Sequence, residues 1–173
     1  MKHVRVKITE YNRTHQTWFE KLNRAWIEQY FWMEPIDFEV LNNPEEHIIR
    51  EGGFIFMAQC KNEIVGTVAL KFVDKGVYEF TKMAVDEKFQ GLKIGKQLAE
   101  VAIEKAREKK ANKIILYSNT KLIPAIALYR KLGFIEIPLD GPYKRSNIKM
   151  ELILSKSIFS LESKISKGVL GLI

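Results

Sequence analysis

The stretch VYEFTKMAVDEKFQGLKIGK, residues 77–96, decides the fold of this 173-residue chain. Residues 77–85 are rich in β-branched and aromatic side chains and contain neither glycine nor proline, which predicts a strand. A polar break follows, and Gly91 and Gly95 then lead into a helical pattern. Small residues at such a junction let backbone N–H groups approach a ligand, and the helix start adds its positive dipole end. The stretch predicts either a phosphate site or an ordinary strand-to-helix turn.

The sequence on both sides of this stretch predicts a mixed β-sheet. Residues 54–60 and 64–72 are strand-like, and short polar loops join them to each other and to residues 77–85, so these strands should pair antiparallel. Residues 92–110 predict a helix, and its apolar stripe comprises Ile94, Leu98, Val101 and Ala102. Residues 114–117 form a continuous apolar run, as expected of a strand buried on both faces. The helical crossover would place this strand parallel to residues 77–85.

The N-terminal part predicts one strand and two helices. Residues 4–8 alternate between apolar and charged side chains, which is typical of a half-buried strand. Residues 11–30 predict a helix, and its buried face would contain Trp18, Leu22, Ala25 and Trp26. Pro35 should end the segment after this helix. Residues 43–46 resemble the start of the second helix, which the glycines at 52–53 would stop.

The C-terminal part completes the predicted sheet. Residues 124–132 predict another helix, and residues 134–137 and 148–154 predict the final strands. The chain should therefore form an α/β (α+β) domain over residues 1–154, with a mostly antiparallel sheet, a central parallel strand pair and flanking helices. Residues 155–173 have apolar side chains at helical spacing. We expect a helical tail that packs on the domain or on a partner subunit, which would allow a homodimer.

The composition narrows the classes of partner. The net charge is +7, from 28 basic and 21 acidic side chains, and it suits a polyanionic ligand as well as nucleic acid. The basic residues are spread along the chain, and a basic helix, zinc motif or RNA-binding aromatic signature is lacking, so no nucleic-acid partner is expected. No apolar run reaches membrane-spanning length, so no membrane partner is expected either.

Cysteine and histidine usage predicts neither a disulfide nor a metal site. Cys60 is the only cysteine, which excludes an internal disulfide and is compatible with a cytoplasmic location. Its strand-like surroundings predict buried packing. His3, His15 and His47 lack ligand spacing with carboxylates or with Cys60, so no metal is expected.

Two segments resemble the motifs of one enzyme family, the GNAT N-acetyltransferases. The family's acetyl-coenzyme A loop is Gln/Arg-x-x-Gly-x-Gly/Ala after an apolar triplet, and it is similar to Gln90-Gly91-Leu92-Lys93-Ile94-Gly95 after Met83-Ala84-Val85. A second family segment, Asn…Ala-x-x-Leu-Tyr-x-x-x-Gly-Phe, is similar to Asn119, Ala125, Leu128, Tyr129, Gly133 and Phe134. The resemblance covers about residues 54–137. The N-terminal segment also resembles the acetyltransferase half of proteins that fuse this domain to a MarR-type regulator.

The resemblance implies direct transfer of an acetyl group from acetyl-coenzyme A to an amine. It implies that the cofactor-binding residues are Met83, Ala84 and Val85 near the thioester, residues Gln90 to Lys96 at the phosphates, and Asn119. Lys93 stands where the family usually has glycine. The cradle of N–H groups is expected to survive this change if the φ angle of Lys93 is negative, and the lysine would add a charge for the phosphates.

Two residues are candidates for proton transfer. Tyr129 matches the family tyrosine that protonates the coenzyme A sulfur, and a core tyrosine on an amphipathic helix is the alternative. Glu79 matches a strand glutamate that acts as the base in the histone-modifying members. Its strand face would be shared with apolar neighbours, which would raise the pKa of its carboxyl; the predicted face comprises Val77, Glu79, Thr81, Met83 and Val85. A solvent-exposed Glu79, with a water chain as the base, is the alternative.

The acceptor has no motif of its own. An aromatic group predicts either a core cluster or the wall of the acceptor pocket, and it comprises Trp26, Tyr30, Phe31 and Trp32. Three further residues could face an amine there: Glu34, Asp37 and Tyr143. The sequence predicts an N-acetyltransferase for a small-molecule or amino-acid-like amine. The alternatives are a peptide or protein acceptor, a non-catalytic acetyl-coenzyme A sensor, and a nucleic-acid-binding module suggested by charge alone.

Overall fold

The structure, a computed structural model, describes residues 5–154. Its strands are β1 (Val6–Glu10), β2 (Phe54–Cys60), β3 (Glu63–Asp74), β4 (Val77–Val85), β5 (Lys113–Ser118), β6 (Ile135–Ile137) and β7 (Ile148–Ile153). Its α-helices are α1 (Gln16–Tyr30), α2 (Pro35–Asn42), α3 (Ile94–Glu108) and α4 (Ile123–Lys131). Within residues 5–154, no helix is both long and apolar enough to cross a membrane. The predicted tail, residues 155–173, and the predicted strand residue Val4 lie outside the described range.

The strands form one seven-stranded sheet in the order β1-β2-β3-β4-β5-β7-β6. Neighbouring strands pair antiparallel except β4 and β5, which pair parallel from Val77 opposite Lys113 to Phe80 opposite Leu116. Helix α3 makes the crossover between these two strands. The predicted mixed sheet with a central parallel pair is confirmed.

Apolar clusters cover both faces of the sheet. Alternate strand residues belong to different clusters: Phe56 packs with α3 and α4, whereas Met57 packs with α1 and α2. Successive strand side chains point to opposite faces, so the two clusters lie on opposite sides. Cys60 is 1% exposed in the first cluster, which confirms its predicted buried packing.

Helix α1 buries a different face from the predicted one. Phe19, Leu22 and Ile27 are buried, whereas Trp18 is 39% exposed and Ala25 is also exposed. The predicted face is therefore wrong for Trp18 and Ala25. Both sets of residues have helical spacing, so the period alone does not decide which set meets the sheet.

Helix α2 begins at Pro35, which was expected to end a segment. Proline lacks an N–H and has a fixed φ angle, so it suits the first position of a helix. The backbone N–H of Glu34 donates to Asp37 Oδ2 at 2.9 Å and holds this helix start. The helix predicted to start at residues 43–46 and to stop at the glycines at 52–53 is present as a short π-helical segment, Glu45–Ile49. The sequence missed α2, which precedes this segment.

A bulge interrupts β4. On the neighbouring strand β3, Thr67 pairs with Ala84 and Ala69 pairs with Thr81, so residues 82 and 83 stand opposite residue 68 alone. Lys82 takes a φ of 52° within this bulge. Such an extra residue bends the strand and shifts the alternation of its side chains.

The bulge separates the side chains that were expected to share one face with Glu79. Met83 and Val85 pack against the same cluster as Phe80, the direct neighbour of Glu79. Because Phe80 and Glu79 point to opposite faces, the predicted common face of β4 is wrong beyond Thr81.

The pairing of strands β4 and β5 stops just before the bulge. Their pairing ends at Phe80 opposite Leu116, although β4 continues to Val85 and β5 to Ser118. The backbone groups of residues 81–85 that point toward β5 therefore have no partner in that strand. A gap opens between the C-terminal halves of the two central strands.

Candidate active site

A cavity of about 130 Å³ lies at the gap between β4 and β5. Residues of α1, β4, the end of β5, α4 and the loop between β6 and β7 form its walls. They include both predicted proton-transfer residues, Glu79 and Tyr129, as well as Met83 and Asn119. The fold thus brings together side chains from both predicted motifs.

Glu79 is buried in this cavity wall. It is 7% exposed, and the Tyr143 hydroxyl donates a hydrogen bond to its Oε1 at 2.8 Å. Burial raises the pKa of the carboxyl, against the hydrogen bond from Tyr143 and the positive charges of Lys71, Lys82 and Lys149. The alternative of a solvent-exposed strand glutamate is wrong. The sequence indicated only that Tyr143 could face an amine. Its hydrogen bond to Glu79 was not predicted, because the two residues lie 64 positions apart in the sequence.

Tyr129 combines a core ring with a cavity position. Its ring is 8% exposed and packs edge-on against Phe80 at 5.8 Å between centroids. Burial raises the pKa of its hydroxyl. Within residues 5–154 the hydroxyl makes no hydrogen bond, and the side chain lines the cavity. A protonated tyrosine with an uncommitted donor is suited to act as an acid.

The loop before α3 is a cradle of backbone N–H groups. Helix α3 begins at Ile94, and the N–H groups of residues 91–96 have no acceptor among residues 5–154. Gly91 has a φ of 79°, and no atom lies within 4 Å of where a Cβ would stand there. The free N–H groups, the open space and the lysine charges fit a pyrophosphate.

Lys93 adopts a left-handed conformation, with a φ of 60°. The condition of a negative φ, under which the cradle was expected to survive, is therefore not met, although the N–H groups of the loop remain free within residues 5–154. A left-handed backbone at the residue before a helix is one that glycine takes at little cost. The lysine therefore preserves the turn at the expense of local strain instead of changing the shape of the turn.

The other predicted cofactor residues divide between surface and interior. Gln90 and Leu92 are exposed on the loop, and Lys96 is exposed in the first turn of α3. The buried or half-buried residues are Ala84, Val85, Ile94 and Gly95. Of the predicted triplet and loop, Met83 is the residue that lines the cavity. The loop is thus a separate part of the site, at the far end of the gap.

Asn119 has a clear role in positioning a loop. Its Nδ2 donates to the Arg145 carbonyl at 2.8 Å, and its Oδ1 accepts from the Lys121 N–H at 3.0 Å. These bonds join the end of β5 to the loop between β6 and β7. A direct contact of Asn119 with a cofactor stays a prediction.

The aromatic group near the end of α1 is split between the cavity and the surface. Trp26 and Phe31 line the cavity, whereas Tyr30 is 45% and Trp32 60% exposed. A core cluster of all these residues is therefore wrong. The position of Trp26 and Phe31 agrees with the alternative of a pocket wall.

A buried ionic cluster lies behind the cavity wall and was missed by sequence reasoning. Asp37 has no exposed side-chain surface and accepts from Arg145 at 2.5 and 2.9 Å and from Lys82 at 2.8 Å. Burial opposes its ionisation, but these cationic donors outweigh burial and hold the pKa of Asp37 at about 2. Glu34 and Asp37 do not line the cavity, so their expected position facing an amine is wrong. No local pattern links residues 108 positions apart.

Among residues 5–154, no group of three or more His, Cys, Asp or Glu side chains is placed to hold a metal ion. Among the described residues, the cavity wall contains the Glu79 carboxylate and several side-chain hydroxyls, including that of Tyr129. Glu79 can accept a proton and Tyr129 can donate one.

Comparison with known proteins identifies the family. Residues 15–134 match the model of the Acetyltransferase (GNAT) family. The chain is 33% identical over 85 residues to N-alpha-acetyltransferase 30 of Dictyostelium discoideum, over 47% of this chain and 46% of that relative. The match thus spans less than half of the length of that relative.

Two solved structures share the fold. An acetyltransferase of the GNAT family from Staphylococcus aureus Mu50 has a TM-score of 0.81 at 27% identity, covering 87% of this chain and 100% of that chain. The PaiA N-acetyltransferase from Thermoplasma acidophilum, in complex with coenzyme A, has a TM-score of 0.68 at 18% identity, covering 87% and 99%.

The chain belongs to the GNAT family of N-acetyltransferases. Its mixed sheet with a divided central strand pair and the order of its two motifs agree with that assignment, and the predicted family resemblance is confirmed. The similarity to the acetyltransferase half of MarR-type fusion proteins stays a prediction.

Proposed function

We propose that the protein transfers an acetyl group from acetyl-coenzyme A to the primary amine of a small-molecule or amino-acid-like acceptor. The observation that carries the proposal is the cavity between β4 and β5, which has both Glu79 and Tyr129 in its wall. A buried carboxylate and a buried phenol in one cavity are the acid and base that acyl transfer to an amine requires.

The donor would be held at the two ends of the gap. The N–H groups of residues 91–96 would bind its phosphates, with Lys93 and Lys96 adding positive charge. The backbone groups of Met83, Ala84 and Val85 that point away from β3 would face its reactive end, and Asn119 would lie beside it. When bound, acetyl-coenzyme A supplies the acetyl group as an activated thioester.

Proton movement in the cavity follows from the two environments. Glu79 Oε accepts a proton from the ammonium form of the acceptor, so that the nitrogen becomes a nucleophile. Tyr129 keeps its proton at Oη because burial raises its pKa, and this proton is available to the departing sulfur. The Tyr143 hydroxyl orients the Glu79 carboxylate through its 2.8 Å hydrogen bond.

Thermal unfolding with and without acetyl-coenzyme A tests donor binding. A ligand at 100 times its dissociation constant stabilises the folded state by about 2.7 kcal/mol, so the melting temperature should rise. Gly95→Glu should abolish the rise, because it places bulk and negative charge at the phosphate cradle. Lys109→Glu, at the opposite end of α3, is the matched control and should keep it. An unchanged melting temperature of the native protein would contradict the proposal.

A peptide or protein acceptor is the second candidate, supported by the similarity to N-alpha-acetyltransferase 30. A non-catalytic sensor would need the N–H cradle but not Tyr129, and the presence of this residue in the cavity argues against it. A screen of amines and peptides with detection of released thiol distinguishes the three.

We also propose that the protein works in the cytoplasm and forms a homodimer. The single cysteine supports the first point, and the apolar spacing in residues 155–173 supports the second. Light scattering of the full chain and of a chain shortened at Ser155 tests the dimer.

A further inference from the structure

The buried ionic cluster joins parts of the chain that surround the acceptor side of the cavity. We call Glu34, Asp37, Lys82 and Arg145 the clamp. Asp37 comes from the first turn of α2, Lys82 from the bulge of β4, and Arg145 from the loop between β6 and β7. Both Asp37 oxygens are engaged by Arg145, and Lys82 makes a further bond to Oδ1 at 2.8 Å.

The clamp is held on its backbone as well as through its side chains. The Arg145 N–H donates to Glu34 Oε1 at 3.2 Å, and the Arg145 carbonyl accepts from Asn119 at 2.8 Å. The side chains of Glu34, Lys82 and Arg145 are 8%, 8% and 14% exposed. A bidentate pair with so little access to water fixes the relative position of its elements.

These connections close the acceptor cavity on one side. Phe31, in the segment before α2, and Tyr143, in the loop between β6 and β7, both line the cavity. Arg145 joins that loop to the start of α2 through its contacts with Glu34 and Asp37. A peptide chain that entered the cavity between these two parts would meet this contact.

The positively charged side chains of the cavity wall are already paired within the clamp. Among the described residues that line the cavity, the cations are Lys82 and Arg145, and both are paired with Asp37. Glu79 is the carboxylate of the wall, and Trp26, Ile27 and Phe31 provide apolar surface. An acceptor carboxylate would find neither a free cation nor room to remain hydrated, whereas an ammonium with an apolar arm fits these groups.

We propose that the clamp is a specificity determinant, which restricts the acceptor to a small primary amine with an apolar arm and without a carboxylate beside the amine. This inference rests on the proposed acetyl transfer and narrows its acceptor range. It assigns Asp37 and Arg145 a role in selecting the acceptor, with no direct part in the proton transfers at Glu79 and Tyr129.

Acceptor selectivity of the native full chain is the first test. The probes are 2-phenylethylamine, phenylalanine, and a short peptide with a free N-terminus and an internal lysine, each at saturating acetyl-coenzyme A with thiol release as the readout. The ratio of kcat/KM should favour 2-phenylethylamine over both others by at least about a hundredfold, the scale on which an unpaired polar group in a binding site discriminates. Equal kcat/KM values for the three probes would overturn the proposal.

Removal of the clamp is the second test. Arg145→Met keeps the length of the side chain but removes its donors, so the contact that closes this side of the cavity is lost and the preference for 2-phenylethylamine over the peptide should fall by at least about tenfold. Arg50→Met is the matched control, since Arg50 forms an exposed ion pair with Glu46 outside the cavity, and it should keep the native preference. A merely structural clamp would lower all rates together and leave the ratio unchanged.

Three further outcomes of these tests also distinguish the clamp proposal from the proposed acetyl transfer. If Arg145→Met does not fold, Glu34→Gln replaces it, because this change weakens the backbone contact of Arg145 and leaves the Asp37 pairs intact; the ratio should fall in the same direction. A folded variant with the native ratio overturns the clamp proposal alone. Absence of turnover with every probe, together with an absent thermal shift with acetyl-coenzyme A, overturns the proposed acetyl transfer itself.

Discussion

Burial acts in the same direction on the two ionisable groups of the cavity but with different chemical results. It raises the pKa of both Tyr129 and Glu79 because the charged forms lose hydration. For Tyr129 this keeps the proton on the hydroxyl at neutral pH. For Glu79 it makes the carboxylate a better base, while the hydrogen bond from Tyr143 keeps it ionisable.

Tyr129→Phe should reduce kcat by roughly 10²–10⁴-fold, the usual range for a positioned acid. The ring and its contact with Phe80 remain, and the hydroxyl has no hydrogen bond to lose among residues 5–154. The melting temperature and the affinity for acetyl-coenzyme A should therefore change little. Steady-state kinetics and thermal unfolding check both parts.

Tyr78→Phe is the control for this substitution. Tyr78 is also 8% exposed and belongs to the same apolar cluster, but it does not line the cavity. It should keep native turnover. Native turnover in Tyr129→Phe as well would show that another group supplies the proton.

The acid limb of the pH–rate profile should report Glu79. The group must be deprotonated to act as a base, so kcat/KM should rise with pH through its pKa, which burial places above the ordinary value of 4.5. Tyr143→Phe removes a bond that lowers this pKa and should move the limb to higher pH. In Glu79→Gln the limb should disappear along with most of the activity; a limb that survives would assign the base to a different group.

At the scale of elements, the turn before α3 stores strain at one residue. A left-handed conformation costs a residue with a Cβ roughly 1–2 kcal/mol. Lys93→Gly removes that cost, partly offset by chain entropy, and should leave the free energy of unfolding unchanged or raise it by up to about 1 kcal/mol. Lys93→Val should lower it, because β-branched side chains fit this region worst. Urea unfolding measures both.

Lys96→Gly is the matched control for this strain. Lys96 lies within α3, where glycine costs about 1 kcal/mol relative to a good helix former. Replacement of lysine by glycine should therefore lower the free energy of unfolding at position 96 and leave it unchanged or raise it at position 93. Equal losses at both positions would contradict a strained Lys93.

The elements that the sequence predicted well are those with a strong local pattern. Strand β4, the hairpin strands before it and helix α3 have alternation or helical spacing that any packing would use. The buried face of α1, the start of α2 at Pro35 and the bulge at Lys82 were not predicted. These features depend on tertiary contacts. Packing against the sheet determines which face of α1 is buried, and the pairing with β3 determines the position of the bulge.

At the scale of the whole molecule, Asp37 ties together segments that are far apart in the chain. Its folded pKa of about 2 lies below the ordinary value of 3.8. The depressed pKa means that its stabilisation is fully present above pH 3.8 and is lost as the pH falls through about 2. The difference between those two pKa values corresponds to about 2 kcal/mol of stability.

Asp37→Asn should therefore lower the free energy of unfolding by about 3–5 kcal/mol at neutral pH, because it also leaves buried Lys82 without its ion-pair partner and Arg145 with Glu34 alone, at 3.7 Å. The difference from the native protein should shrink as the pH falls below 3.8. Glu46→Gln, which breaks an exposed pair with Arg50, should cost no more than about 1 kcal/mol. Urea unfolding across this pH range checks the sign, and a pH-independent difference would contradict it.

The candidate site shows where sequence reasoning stops. Tyr129 and Glu79 could be named as candidates from the sequence because each falls at a position that the family resemblance marks, and both line the cavity. The bond from Tyr143 to Glu79 and the pairing of Arg145 with Asp37 span 64 and 108 residues, and no periodic pattern signals them. They arise only after the sheet has placed the loop between β6 and β7 next to α2.

The separation of strands β4 and β5 has a consequence for how the sequences of related proteins can change during evolution. The groups that face the gap at residues 81–85, and the N–H donors of residues 91–96, belong to the main chain. Replacing the side chains along these segments leaves those groups in place as long as the backbone path is kept. Changes of sequence can therefore replace most side chains around the proposed donor site while these main-chain groups persist. Because we propose that side chains in the cavity select the acceptor, acceptor preference should change faster among related proteins than donor binding.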